Sequence, residues 1–244
     1  MRPVGVGLSV DIAEKTFRSA QGVSVTAIRN LAFEVRQGEF ACLLGPSGCG
    51  KTTTLRILLG LDRDFSGSFR LPEGGATRIA AVFQEPVLLP WRTVEQNVRL
   101  GLPKAERGKD LDPLFDSLGL SGMRSLYPSE LSLGLARRAA LARAFATEPA
   151  VLLLDEPFVS LDENTATRLR HLLLSVWSAK PTTALMVTHN LREALMLSDR
   201  IVVLSPRPAH VIGVFDVRLP REHRSPQVMS DLLRSFHERF PDLH

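Results

Sequence analysis

The run Gly45-Pro46-Ser47-Gly48-Cys49-Gly50-Lys51-Thr52 constrains this chain more than any other stretch, because it fits G-x-x-x-x-G-K-[ST]. Before it, Phe40–Leu44 is a short apolar run ending at a glycine, the form of a buried strand. After it, Lys51–Leu59 has helical composition, with Gly60 as a C-terminal stop. Each part of such a loop has a physical use. Glycines let the backbone curl until successive N–H groups converge on phosphate oxygens, and the following helix turns its N-terminus to the same anion. Lys51 supplies positive charge for β- and γ-phosphates and the Thr52 hydroxyl suits Mg²⁺; Thr53, next along, is grouped with the nucleotide-binding residues. The pattern arises by accident in about one chain in a hundred of this length, and its strand–loop–helix setting lowers that further. The chain is therefore expected to bind ATP with Mg²⁺.

A second constellation fits the first. Val151-Leu152-Leu153-Leu154-Asp155-Glu156-Pro157 reads as a buried strand ending in two carboxylates. An acid at that place holds Mg²⁺ through its water shell, and Asp155 fits. Glu156, one residue on, suits a general base that polarises the attacking water. Two solvated acids at a strand end are common by themselves; beside a phosphate-binding loop they point to hydrolysis.

Strand-like and helix-like segments alternate along most of the chain. Ser9–Phe17 and Leu31–Val35 look like strands of a mostly antiparallel region. Ile79–Phe83, Val151–Leu154, Thr183–Val187 and Arg200–Leu204 are further β-rich runs, with helical stretches such as Glu163–Ala179 and Leu191–Leu197 between some of them. That rhythm predicts an α/β fold with parallel strands at the centre of its sheet. From about Pro86 to Phe145 no strand is visible, while Val94–Leu100, Asp112–Leu118 and Leu135–Thr147 look helical. This region is expected to be an α-helical subdomain inserted into the core. The tail Pro226–Phe240 carries Val228, Met229, Leu232, Leu233 and Phe236 at the spacing of an amphipathic helix.

Composition excludes some classes. With 244 residues, 44% hydrophobic and 23% charged, the chain suits one good-sized core. It has no apolar run near the eighteen or so residues that a spanning helix needs. Val4–Val10 is short, holds two glycines and meets Asp11, so it does not read as a signal peptide. A cytosolic chain is expected, held at any membrane by a partner. Cys42 and Cys49 have neither disulfide-framework nor zinc spacing, and read as buried or loop residues in a reducing compartment. The net charge is +4, but the basic residues Arg137, Arg138, Arg143, Arg168, Arg170, Arg218, Arg221 and Arg224 are scattered and lack interleaved aromatics. They are read as a solvated basic surface, with no nucleic-acid partner.

Further motifs follow in a fixed order. Gln84 comes after Ile79–Phe83, Leu131-Ser132-Leu133-Gly134-Leu135 precedes a helix, Ser160-Leu161-Asp162 follows the acidic pair, and Val187-Thr188-His189-Asn190 ends another strand. In this order and spacing the chain resembles the nucleotide-binding subunit of an ABC transporter over nearly its whole length. The resemblance implies a P-loop NTPase fold, with an antiparallel β subdomain and the inserted helical subdomain. It implies one ABC ATPase domain over 1–244, with a core at about 1–85 and 146–244 and the helical subdomain at about 86–145. Gln84 looks like the Q-loop glutamine, contacting Mg²⁺ and the attacking water. Ser132 and Gly134 look like the signature residues that reach the γ-phosphate of ATP bound to a second copy. Asp162 looks like the D-loop aspartate, His189 like the histidine that contacts the γ-phosphate in cis, and Phe17 like the aromatic on which adenine stacks.

The same resemblance implies a head-to-tail dimer, a membrane permease docked on the helical subdomain, and indirectly a solute-binding protein. The subunit would work peripherally at the cytoplasmic face of the inner membrane. Gln84-Glu85-Pro86-Val87-Leu88-Leu89-Pro90-Trp91-Arg92-Thr93-Val94, with Asn97-Val98, is similar to the nitrate, sulfonate and taurine importers, as is Leu204-Ser205-Pro206-Arg207-Pro208. The short tail leaves no room for the regulatory domain of sugar-type importers. The pattern departs at Leu133 and Leu135, which stand for a glycine and a glutamine. Leu133 would carry a Cβ into a positive φ at some cost, so slower stimulation in trans is expected, and Leu133→Gly should raise turnover. Val159 in the D-loop and Asn190 after His189 are further departures that look tolerable. Other readings stay open: a degenerate subunit that binds ATP without turnover, or a soluble ABC-type ATPase on nucleic acid or ribosomes. A GTPase or small-molecule kinase fits less well, since no N-K-x-D motif is present.

Overall fold

The computed structural model describes residues 5–18, 22–72 and 77–241; Val4, at the edge of the N-terminal stretch, lies outside them. In chain order the strands are β1 (Val6–Arg18), β2 (Ser24–Arg36), β3 (Phe40–Leu44), β4 (Ser66–Arg70), β5 (Ile79–Val82), β6 (Val151–Asp155), β7 (Thr183–Thr188), β8 (Arg200–Leu204) and β9 (Val211–Asp216). The helices are α1 (Lys51–Leu58), α2 (Val94–Leu100), α3 (Asp112–Ser117), α4 (Leu133–Ala146), α5 (Glu163–Ala179), α6 (Leu191–Leu197) and α7 (Pro226–Arg239). They fall in two compact units, one formed by Met1–Glu73 with Thr183–His244 and the other by Gly74–Thr182.

In the first unit, β1 pairs antiparallel with β2 and β4. Alternation explains which face is covered. Leu8, Val10 and Ile12 are buried and lie opposite Val35, Phe33 and Leu31, while Asp11 between them faces out. A second set of strands has β3 between β7 and β8, both parallel to it, with β9 antiparallel to β8. All five residues of β3 and all six of β7 are buried, as strands covered on both faces require. Helix α7 starts at a Ser225 cap with Pro226 in its first turn. Phe236 from this helix meets Phe215 of β9 at 5.4 Å between ring centroids and Phe240 at 4.9 Å. A Cβ at Gly213 would come within 2.5 Å of the Phe240 ring, so glycine lets the tail lie flat on β9. Of the apolar tail residues, Met229 and Phe236 are the buried ones.

In the second unit, β5 and β6 pair in parallel, from Ile79 beside Val151 to Val82 beside Leu154. Between these strands the described chain is helical. Thr93 and Gln96 form a capping box that starts α2. Asn97, fully buried one turn on, donates to the carbonyls of Leu89, Arg92 and Thr93 and accepts from Leu89 N–H at 2.7 Å. One side chain thus fixes the shape of the loop that precedes its own helix. Helix α4 is rich in alanine and buried at Ala139, Ala140, Leu141, Ala142 and Ala144, so its neighbours approach closely. Trp177 of α5 is buried and keeps its indole N–H bonded to Thr182 O at 2.8 Å.

Five of the eight basic residues overturn the expectation of a solvated surface, while Arg168 and Arg218 are exposed as expected. Arg137 and Arg170 are 4% and 5% exposed. Arg143 bonds the carbonyls of Pro86 and Val87. Arg221 and Arg224 bond carbonyls at the C-terminal end of α6, Leu197 for one and Leu195, Met196 and Ser198 for the other. A guanidinium has five N–H donors in a fixed plane, and here the unsatisfied carbonyls of turns and helix ends take them up. Burial pulls the Arg224 pKa down to about 10. Among the described residues no helix is long and apolar enough to cross a membrane.

Candidate functional site

In the first unit the phosphate-binding loop leaves β3 at Leu44 and ends at α1. Gly48 has φ +75° and Gly50 φ +133°, backbone states that side chains disfavour. Gly50 also caps α1, and a Cβ there would lie 3.1 Å from Ala27 O. No acidic residue occupies the first turn of α1, so nothing on the helix competes with an anion at its N-terminus. Lys51 is 4% exposed, and its Nζ donates to Gly45 O at 2.8 Å and Pro46 O at 2.9 Å. Pro46, Ser47, Gly48 and Thr52 are exposed, Thr53 is half-buried, and Cys49 is 1% exposed. Burial pushes the Cys49 thiol pKa up, opposed by Lys51, so this cysteine is a small packing residue rather than a nucleophile. Arg207, from the loop after β8, donates from Nε and Nη2 to Gly48 O at 3.1 and 2.5 Å. That contact braces the exposed side of the loop.

His189 stands exposed at the end of β7, in a turn closed by hydrogen bonds on both sides. Asn190 N–H donates to Thr188 Oγ1 at 3.0 Å, and the Thr188 hydroxyl donates to the buried Glu193 carboxylate at 3.0 Å. Glu193 N–H donates to Asn190 Oδ1, which caps α6. Thr188 O also accepts from Gly45 N–H at 3.4 Å, tying this turn to the start of the phosphate-binding loop. Phe17, on β1 opposite Val25, is 45% exposed. Lys15 lies 4.7 Å from its ring centroid and is held by Asp62 at 2.8 Å and Asp64 O at 2.6 Å. The buried lysine covers part of the ring and leaves the rest exposed.

The second unit carries the other predicted residues. Gln84 is exposed just after β5. Asp155, 6% exposed, is the last residue of β6. Glu156 follows it with φ +43°, a left-handed state that costs a residue with a Cβ about 1–2 kcal/mol. Asp162 caps α5, its carboxylate accepting from Thr165 N–H at 3.0 Å; hydrogen bonds from the Thr165 side chain and then its backbone hold the Asp162 pKa below the usual carboxylate range. Ser132 caps α4 in the same way, accepting from Leu135 N–H at 3.3 Å. Gly134 is buried, and a Cβ there would come 2.7 Å from Thr165 Cγ2, so it is needed for the approach of α4 to α5. Gly134→Ala should lower the unfolding free energy by about 1–2 kcal/mol. Urea titration would show it as an earlier midpoint, and Thr165→Ser should restore the midpoint by removing that methyl. A midpoint that Gly134→Ala leaves in place would mean that the helices have room to spare.

One expectation about this turn is corrected. Leu133 is the first residue of α4 and is not among the residues with positive φ. Its Cβ is therefore unstrained, and Leu133→Gly has no strain to release. Its side chain is 42% exposed, an apolar group beside Ser132.

The structure groups Phe17, the loop from Gly45 to Thr53 and His189 in one unit, and Gln84, Ser132, Gly134, Asp155, Glu156 and Asp162 in the other. Among the described residues no cluster of three His, Cys, Asp or Glu side chains forms a metal cage. Sequence reasoning missed Lys15 and Glu193, which hold Phe17 and the His189 turn, and read Arg207 only as part of a family-like run without its hold on the phosphate-binding loop. Nothing but charge marks the first two in the sequence; all three roles come from where the fold sets them.

Comparisons with known proteins agree on one family. The family model described as ABC transporter matches residues 28–159. The aliphatic sulfonates import ATP-binding protein SsuB 2 of Burkholderia cenocepacia (strain HI2424) is 42% identical over 229 residues, covering 88% of this chain and 84% of that protein. The aliphatic sulfonates import ATP-binding protein SsuB of Bacillus subtilis (strain 168) is 37% identical over 248 residues, covering 98% and 97%. Among solved structures, a dimeric ATP-binding cassette in a post-hydrolysis state with ADP and Pi superposes with a TM-score of 0.74 at 26% identity, covering 87% of this chain and all of that one. A phosphate-binding loop on a buried parallel strand, the family match and these relatives lead to one assignment: the chain belongs to the ABC transporter family, as one of its ATP-binding cassettes.

Proposed function

We propose that this cassette hydrolyses Mg-ATP to drive import of a sulfonate or a related small solute such as nitrate or taurine, from the cytoplasmic side of the membrane. The observation that carries the chemistry is the loop itself, with Lys51 folded into it and the N-terminus of α1 free of acids. Lys51 is assigned to the β- and γ-phosphates, with Thr52, Gln84 and Asp155 around Mg²⁺. A small cation that keeps its waters and takes phosphate oxygens needs only such sparse ligands. Glu156 is assigned as the base that takes a proton from the attacking water, His189 contacts the γ-phosphate, and Phe17 stacks on adenine.

Two copies pair head to tail, and Ser132 and Gly134 of each close on the ATP of the other. The dimeric state of the solved cassette supports this reading. The loop before α2, with exposed Val87 and Trp91, meets the permease, and the relatives named for sulfonate import support the solute class. The test is to purify the full-length chain from its native membrane and identify what travels with it. The expected result is a two-permease complex whose ATPase rate rises with a sulfonate-loaded binding protein. Recovery with ribosomes or DNA and without a permease would overturn the transport assignment.

A further inference from the structure

The chain from Glu156 to Ser160 has an unusual backbone. Glu156 and Ser160 have φ values of +43° and +61°, and neither is glycine. Strained residues this close together persist only where their surroundings over-determine them. One side chain takes a large share in these surroundings. Arg137, from α4, donates through Nη1 to Pro157 O and, at 3.4 Å, to Glu156 O, while its Nη2 donates to Val159 O at 2.5 Å. Three of the five carbonyls in this segment therefore accept from one guanidinium. Arg137 is only 4% exposed, and its buried Nε has no hydrogen-bond partner. Its partners are carbonyls alone, and burial pulls its pKa below the usual value. A buried cation with an unsatisfied nitrogen is a poor way to stabilise a core, because an apolar side chain of similar volume would avoid the desolvation. The placement suggests another use. Arg137 lies three residues after Gly134, on the same face of α4, where Gly134 packs against Thr165 of α5.

We infer that Arg137 is a positioning residue for hydrolysis: it clamps the backbone that carries Glu156, and so links the base to the helix whose first turn holds Ser132. Movement of that turn on a neighbouring copy's nucleotide is passed through one rigid guanidinium to the Glu156 segment. The inference rests on the assignment of Glu156 as the base.

The test uses the full-length chain and measures steady-state ATP hydrolysis, Mg-ATP affinity and the urea midpoint. Arg137→Met keeps the volume and removes every donor, and Arg137→Gln restores two N–H donors. The expected result is a kcat at least thirtyfold lower for Arg137→Met, with KM for ATP within threefold of wild type, and an intermediate kcat for Arg137→Gln. In a Glu156→Gln background, Arg137→Met should lower the residual rate less than twofold, because the group it positions is already gone. Losses that multiply in the double variant, or a kcat within threefold of wild type for Arg137→Met, would overturn the inference. So would failure of both variants to fold, or kcat, affinity and midpoint falling together, since Arg137 would then be a staple of the fold. Full turnover in Glu156→Gln alone would remove the base assignment, and this inference with it; that result is separate from a silent Arg137→Met.

Discussion

Glu156→Gln is expected to reduce ATP turnover by at least a hundredfold while leaving Mg-ATP binding within a few-fold of wild type. The amide keeps the shape of the carboxylate but cannot take a proton from water, and general bases contribute on the order of 10²–10⁴ in rate. Glu156 has a left-handed backbone, φ +43°, and a Glu-to-Gln change adds no heavy atom that this backbone must accommodate. In the proposed head-to-tail pair the substitution should also lengthen the life of the ATP-bound state, since the γ-phosphate assigned to joining the two copies is no longer removed. Size-exclusion chromatography with Mg-ATP should show a dimer for the variant where wild type runs as a monomer with ADP. Turnover close to wild type would discard Glu156 as the base and direct attention to Gln84 and His189.

Lys51→Ala is expected to have the second large effect, on binding rather than on chemistry alone. The ammonium group is the buried cation of the loop, 4% exposed and held by Gly45 O and Pro46 O. A charge-assisted hydrogen bond to phosphate contributes roughly 1.5–3 kcal/mol, so Mg-ATP affinity should fall about ten- to a hundredfold. Lys51→Arg should not rescue it, because a planar fork does not fit where a compact ammonium sits among backbone carbonyls. Isothermal titration with a non-hydrolysable ATP analogue measures both. Unaltered affinity in Lys51→Ala would mean that the α1 N-terminus and the glycine backbone hold the triphosphate without it.

The legible parts of the fold are those where period and composition agree. Strand β8 has its predicted limits, and α2, α5 and α6 span their predicted residues, since each combines a clear apolar face with a cap or a turn residue at its start. Strand β2 runs from Ser24 rather than Leu31, because its first half alternates polar residues at the surface and gives no apolar run. Strand β4, with the sequence SGSFR, was hidden for the same reason: pairing with a neighbour stabilises it, not its own propensity; β9 has β-prone residues, but Gly213 interrupts its run. The site was legible where a motif demands fixed residues at fixed spacing, as in Gly45–Thr52 and Asp155–Glu156. It was illegible where burial decides the role. A sequence shows that Arg137 is charged, not that it lies under a strained turn, and it shows Gly134 as a candidate phosphate contact without showing Thr165 behind it.

The seat of Lys51 among the carbonyls of its own loop sets a condition on nucleotide exchange. Two carbonyls of the loop already satisfy the ammonium, so an arriving triphosphate must displace them before it gains the charge. The loop competes with its own ligand, and the gain on binding is only the difference between a phosphate oxygen and a pair of peptide oxygens. A motor must release spent nucleotide as readily as it captures fresh nucleotide. A built-in competitor of this kind lowers the affinity of either nucleotide alike, since the same two bonds to peptide oxygens must be given up for both, and so shortens the stay of whatever is bound.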